Sequence, residues 1–207
     1  MGQANTGVRA LLSHPKVYNA FQKLMGTQRI RRELAGQWIR AEKGDSVLDI
    51  GCGTAEIIEF LPPVTYYGFD VSSQYVKAAH SKFGARGQFF CQKLTPDMLD
   101  TLPDFDVVLA IGLLHHMDDG QAVEVLSMIQ TALRRGGRLI SLDPVIDPEQ
   151  RPIARYLAVH DRGCNVRTAV AYRALAEKVF RDIRGTVRHR HCIPLVPYTN
   201  WIMECTA

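Results

Sequence analysis

No apolar run in this 207-residue sequence approaches the about 20 residues that a membrane-spanning helix needs, so no membrane partner is expected. Cysteine is sparse and unpatterned. The five residues Cys52, Cys91, Cys164, Cys192 and Cys205 are odd in number and contain no CxxC pair. That argues against a disulfide framework or a zinc knuckle and suits a reducing cytoplasm. The opening stretch MGQANTGVRALLSHPKVYNA lacks the apolar core and cleavage site of a signal peptide, and Gly2 with Thr6 matches a myristoylation signal only weakly. No internal repeat or low-complexity tract occurs. Nor is there a basic run interleaved with aromatics for stacking on bases, so no nucleic-acid partner is expected.

What is present is ordinary for a globular chain: 46% hydrophobic residues, 22% charged residues and a net charge of +4. The length suits one domain with a substantial core. The mild basic excess fits either an anionic substrate or a solvated surface.

Apolar periodicity predicts helix from Pro15 to Lys43, broken near Gly26. From Ser46 the pattern alternates. SVLDI, VTYYGFDV, GQFFCQKL, FDVVLAIG and RLISLDP read as buried strands. TAEIIEFL, SSQYVKAAHSKFG and DGQAVEVLSMIQTALRRGG read as the helices between them, the second capped by Ser72 or Ser73 and stopped by Gly84. A polar insertion follows to about Arg167, then a helix from Thr168 to Phe180 and a closing hairpin of Ile183–His191 and Tyr198–Thr206. The expected fold is a single doubly wound α/β domain. Its sheet is seven-stranded and mostly parallel, with an antiparallel last strand. Residues 1–43 would form an N-terminal helical cap, 44–145 the core, and 146–207 a lid insertion, helix and hairpin.

VLDIGCGTAEI places Gly51 and Gly53 at the first strand-to-helix turn, where a ligand approaches the backbone of an open sheet. Asp70 ends the second strand, where a carboxylate can grip a ribose diol. Two details depart from a dinucleotide site. Glu56 stands at the third glycine of GxGxxG, and Asp49 precedes the turn, repelling a pyrophosphate but attracting a cation. Without a ligand, Asp49 could equally brace the loop and Asp70 form a turn.

These segments resemble the class I S-adenosylmethionine-dependent methyltransferases. VLDIGCGTAEI is similar to their first motif, YYGFDVS to the second, FDVVLAIGLLHHMDD to the fourth, and LRRGGRLISLDP to the glycine turn and fifth strand. The likeness covers roughly residues 44 to 145, in order. It implies S-adenosyl-L-methionine as cofactor, S-adenosyl-L-homocysteine as product and no metal. By position it places Asp49, Gly51 and Gly53 at the methionine part, Asp70 at the ribose, Leu94 by its backbone at the adenine, and Ala110 and Gly112 beside the sulfonium, with Cys52 and Val71 as further cofactor-binding residues. Lys93 stands where an Asp is common.

IGLLHHMDDG holds the candidate for chemistry. Adjacent His115 and His116 at a strand end are expected to point apart and so not to share a metal ion. Asp118 and Asp119 read as a helix N-cap and first-turn charge. An imidazole after the fourth strand is placed to take a hydroxyl proton, so His115 is the candidate base or orienting group. His116 is a further candidate substrate contact, or is packed within the domain. Both histidines could instead be structural. The fourth motif lacks the Asn-Pro-Pro-aromatic or Asp-Pro-Pro-aromatic signature that resembling enzymes use on base amines, and a Pro-Cys dipeptide is absent.

The insertion DPEQRPIARYLAVHDRGCNVRT concentrates charge. Arg162 and Arg167 are candidate contacts to an anionic or sugar-like substrate, or else a loop-fixing network. Tyr18 in the cap and Tyr198 near the hairpin are candidate rim residues. The expected function is methyl transfer to a small-molecule acceptor, most simply an oxygen, by a monomer or homodimer. The competing readings are a non-catalytic S-adenosylmethionine-binding protein or partner subunit, and a nicotinamide-dependent oxidoreductase.

Overall fold

The computed structural model describes residues 27–161, 163–189 and 198–207. The expected cap residues before 27, with Tyr18, lie outside them, as do Arg162 and the hairpin connection.

Seven strands form one sheet in the order β3-β2-β1-β4-β5-β8-β7. They are β1 (Ser46–Ile50), β2 (Thr65–Phe69), β3 (Gly87–Phe90), β4 (Phe105–Ile111), β5 (Leu133–Ile146), β7 (Asp182–Arg188) and β8 (Asn200–Thr206), while the two-residue β6 (Arg167–Thr168) pairs with β5 alone. Pairs among β1 to β5 are parallel. β8 runs antiparallel to both β5 and β7. The mostly parallel sheet with an antiparallel last strand is therefore present, with the two-residue β6 as an addition.

The strands read as continuous apolar runs because both faces are covered. One face packs Val47, Tyr66, Val107, Leu109 and Ile140 against α1 (Thr27–Leu34), the π-helical turn Ala35–Ile39 that extends it, the 3-10 segment Glu56–Phe60 and α2 (Ser73–Phe83). The other packs Leu48, Phe69, Val108, Ala110 and Met203 against α4 (Asp119–Ala132) and α6 (Ala169–Ala176).

Local chemistry sets the helix ends. The Ser72 side chain accepts from Tyr75 N–H (3.4 Å), and Asp118 with Gln121 forms a complete capping box on α4. α4 ends at Ala132, short of the expected Gly136–Gly137. Leu133 already pairs with Phe105, and the register then slips so that Val107 opposes Arg138. The extra residues form a bulge. It turns at Gly136 (φ +77°), and at Gly137 a Cβ would lie 2.8 Å from the Phe105 carbonyl oxygen.

Three further differences have local causes. TAEIIEFL forms only a 3-10 turn, and buried Glu56, at the third-glycine position, pairs with Lys82 of α2 at 2.8 Å. The stretch after β3 contains a single turn of helix, α3 (Pro96–Leu99), with proline at its start. The insertion is not merely polar loop. It holds α5 (Pro152–Val159), which starts on Pro152 and buries Ala154 and Ala158. Among the described residues no helix is long and apolar enough to cross a membrane.

Candidate active site

The carboxyl ends of β2, β1, β4 and β5 lie side by side, and the candidate residues gather on that rim. In the glycine turn, Gly51 (φ +78°) and Gly53 (φ +54°) take the left-handed conformation that side chains disfavour. Gly51 and Cys52 both donate to the Phe69 carbonyl, at 2.8 and 3.0 Å, which ties the turn to the end of β2. A Cβ at Gly51 would press on Leu113 Cδ1 at 3.2 Å, so the loop after β4 covers this glycine closely.

Asp70 braces the same turn. One oxygen accepts from Gly53 N–H (3.0 Å) and the other from Ser72 N–H (2.7 Å). A carboxylate offers about four acceptor positions, so room for a diol remains. Asp49 is buried at 3% exposure. It accepts from the Tyr66 hydroxyl at Oδ2, while Oδ1 has no hydrogen-bond partner among the described residues. Burial raises its pKa to about 7; the Tyr66 bond pulls it down and Asp70 pushes it up. Burial, with Asp49 and Asp70 nearby, also pushes the Cys52 thiol well above its ordinary value. It is a packed small residue rather than an available thiolate. Leu94 and Ala110 are buried, and Val71 is exposed beyond Asp70.

The loop after β4 turns at Gly112 (φ +69°), whose N–H donates to Leu142 of β5 (2.7 Å). The histidines then sit in a 3-10 turn, Leu114–His116, not on an extended strand. Their rings do not point apart as expected: the centroids are 4.0 Å apart and tilted by 39°, because a 3-10 turn does not alternate side chains across a sheet. His116 is exposed, with its ring against that of His115.

His115 is buried among carboxylates. Its backbone N–H (3.1 Å) and Nδ1 (2.8 Å) both meet Asp143 Oδ1, and Asp143, at the end of β5, is wholly buried. A carboxylate at Nδ1 assigns the proton to that nitrogen and leaves Nε2 to take another. Nε2 lies 3.3 Å from Asp161 Oδ1. The segment after α5 closes over the ring: Gly163 N–H donates to Asp161 Oδ1 (2.8 Å) and Asn165 N–H to the His115 carbonyl (3.1 Å). A Cβ at Gly163 would lie 2.1 Å from His115 Cδ2.

Arg167 is fully engaged within the protein. It donates to the carbonyls of Leu114 (3.0 Å), Met117 (2.7 Å) and Asn165 (3.1 Å) and to Asp119 (2.9 Å from Nε), and its guanidinium lies 5.7 Å from the Tyr172 ring centroid. Tyr198, half-buried, precedes β8. Among the described residues the side chains spaced as metal ligands are Asp147, Glu149 and His189, each at least partly exposed; neither His115 nor His116 belongs to them.

Sequence reading missed Tyr66, Asp143 and Gly163. Asp143 carries a signal, a carboxylate ending the otherwise apolar RLISLDP. Tyr66 and Gly163 carry none, since each matters only through a neighbour that folding supplies.

Residues 48–139 match the family model of a methyltransferase domain. Over these residues, under half of the chain, it is similar to a methyltransferase domain, which supports the class I, S-adenosylmethionine-dependent type expected from the sequence. It is 33% identical over 146 residues to an O-methyltransferase, cnsE, of Penicillium expansum, covering 64% of this chain and 51% of that protein. It is 27% identical over 166 residues to the desmethylxanthohumol 6'-O-methyltransferase of Humulus lupulus, covering 73% of this chain and 44% of that protein. The chain thus spans about half the length of these curated relatives. The fold is similar to that of an S-adenosylmethionine-dependent methyltransferase from Archaeoglobus fulgidus, with a TM-score of 0.68 at 17% identity, covering 92% of this chain and 99% of that one.

Proposed function

We propose that this chain transfers a methyl group from S-adenosylmethionine to a hydroxyl of a small molecule, with His115 as the base. The carrying observation is the buried imidazole beside Gly112. Its Nδ1 is fixed by Asp143, so Nε2, which lies 3.3 Å from Asp161 Oδ1, is the nitrogen that would take a hydroxyl proton. The names of the relatives, both O-methyltransferases, support an oxygen acceptor.

The residues present fit the cofactor. The left-handed glycine turn admits a ligand against its backbone, and the unpartnered Asp49 Oδ1 suits an ammonium. Asp49, Gly51, Cys52 and Gly53 would hold the methionine part, Asp70 and Val71 the ribose, Leu94 the adenine edge, and Ala110 and Gly112 the sulfonium end. The bound cofactor supplies a methyl group already activated for displacement. The protein then has to align the hydroxyl, remove its proton and keep water out. His115 Nε2 takes the proton, and Asp143 and Asp161 offset the charge that forms. An anionic acceptor draws no support from Arg167, whose donors are engaged.

The test is incubation with methyl-labelled S-adenosylmethionine and a panel of hydroxylated small molecules, beside calorimetry with S-adenosylhomocysteine. Label reaching an acceptor oxygen supports the proposal. Tight binding of the thioether with no label transferred would favour a binding protein, and no binding at all would overturn the cofactor assignment.

A further inference from the structure

The glycine turn encloses a carboxylate with too few partners. Asp49 Oδ1 is buried and receives no donor among the described residues, although Oδ2 is held by the Tyr66 hydroxyl. A buried acceptor left unpaired is costly, more so when charged. It persists most readily where a ligand completes it.

The tyrosine reaches Asp49 through strand register. β1 and β2 pair Val47 with Tyr66 and Asp49 with Gly68. Gly68 leaves space opposite Asp49: a Cβ there would lie 2.9 Å from Cys52 Sγ and 3.1 Å from Tyr66 Cε1. The other neighbour across from Asp49, on β4, is apolar Leu109. Tyr66 is 1% exposed, so its hydroxyl is directed inward rather than to solvent.

We propose that Tyr66 is a positioning residue for cofactor capture: it fastens one oxygen of Asp49, presents the other to the cofactor's ammonium, and thereby couples binding to release of the Asp49 proton. The inference rests on the cofactor reading above.

The charges around Asp49 agree. Among the described residues the titratable groups facing it are Tyr66 of β2, Asp70 just beyond that strand, and Cys52 from the turn. Burial pushes the Tyr66 phenol and the Cys52 thiol up, so both stay neutral and Asp70 is the charged neighbour among the described residues. With its own pKa raised to about 7, Asp49 carries a proton in a large share of empty molecules near neutrality. An ammonium binds the carboxylate form and expels that proton. Tyr66 favours ionisation, so removing its hydroxyl keeps Asp49 protonated to higher pH.

The experiment is calorimetry of the full chain with S-adenosylhomocysteine, which carries the same ammonium, from pH 6 to 9 in buffers of different ionisation enthalpy. The wild type is expected to release roughly half a proton on binding at pH 7 and to lose affinity by up to about tenfold per pH unit further down. Tyr66→Phe keeps the ring. It is expected to bind about tenfold more weakly at pH 7 and to approach the wild type at pH 9. Asp49→Asn is expected to abolish both the proton release and this pH dependence, and it serves if Tyr66→Phe does not fold. Equal loss by Tyr66→Phe at every pH, or no loss, would overturn the inference, as would an Asp49→Asn variant with the wild-type pH profile. Failure of the wild type to bind at any pH would instead overturn the cofactor reading.

Discussion

The two halves of the rim are built by different means. Over β1 and β2 the shape is backbone: Gly51 and Gly53 in left-handed conformations, tied by short hydrogen bonds to Phe69 and Asp70 within one strand–turn–strand unit. Over β4 and β5 the shape is side chain: His115 is fixed by Asp143, 28 residues later, and covered by Gly163, later still. A backbone cradle can bind the invariant part of a ligand in any member of a fold. Side chains brought from three separate segments can differ without disturbing that cradle. The comparison predicts that damage to the His115, Asp143 and Gly163 cluster removes turnover and spares cofactor binding.

The largest separation is expected from His115→Ala. If Nε2 takes the hydroxyl proton, kcat falls by about 10² to 10⁴. Binding of S-adenosylhomocysteine is unchanged, since the Asp49–Tyr66 pair and the glycine turn are held by other contacts. Turnover is read by label transfer and binding by calorimetry on the same preparation. A variant that folds and keeps wild-type kcat ends the case for a base.

The same contrast explains what could be read in advance. Glycines at a turn, a carboxylate at a strand end and an alternation of apolar strands with helices are local patterns, so the mostly parallel sheet and the glycine turn were legible. The early end of α4 was not, because Leu133 joins β5 through pairing with Phe105, a partner outside the local sequence. α5 was hidden within a segment whose charges read as loop, although Pro152 and the buried pair Ala154 and Ala158 mark it in retrospect. His115 and His116 were placed by the alternation of an extended strand, and a 3-10 turn broke that rule. The arginine-rich insertion left two readings open, and the engaged donors of Arg167 favour the loop-fixing one.

A smaller effect is expected from Gly163→Ala. A Cβ there would lie 2.1 Å from His115 Cδ2 and 2.4 Å from the His115 carbonyl oxygen. The second atom is backbone and cannot swing away, so either the ring or the covering segment must shift. A displacement of about 1 Å at a reacting group costs on the order of 10²-fold in rate. With the ring retained, a loss of about 10- to 100-fold in kcat is expected, again with normal binding of the thioether. Equal loss of thioether binding would show that the two halves are not independent.

The smallest effect sharpens the comparison from the other side. Arg167 has 9% of its side chain exposed and is the strut beneath the histidine turn, joining the Leu114, Met117 and Asn165 carbonyls to Asp119. Lysine keeps the charge but has no planar fork, so Arg167→Lys leaves acceptors in this turn without donors. A loss of about 1–3 kcal/mol in stability is expected, read as a lower Tm or denaturant midpoint. The effect on rate should be milder than for Gly163→Ala, because Asp143 still fixes Nδ1. Were Arg167 instead a contact to an anionic acceptor, the same substitution would leave stability intact and raise the acceptor KM. The two measurements therefore separate a strut from a substrate clamp, because the guanidinium cannot make all four of these donations and also grip an anion.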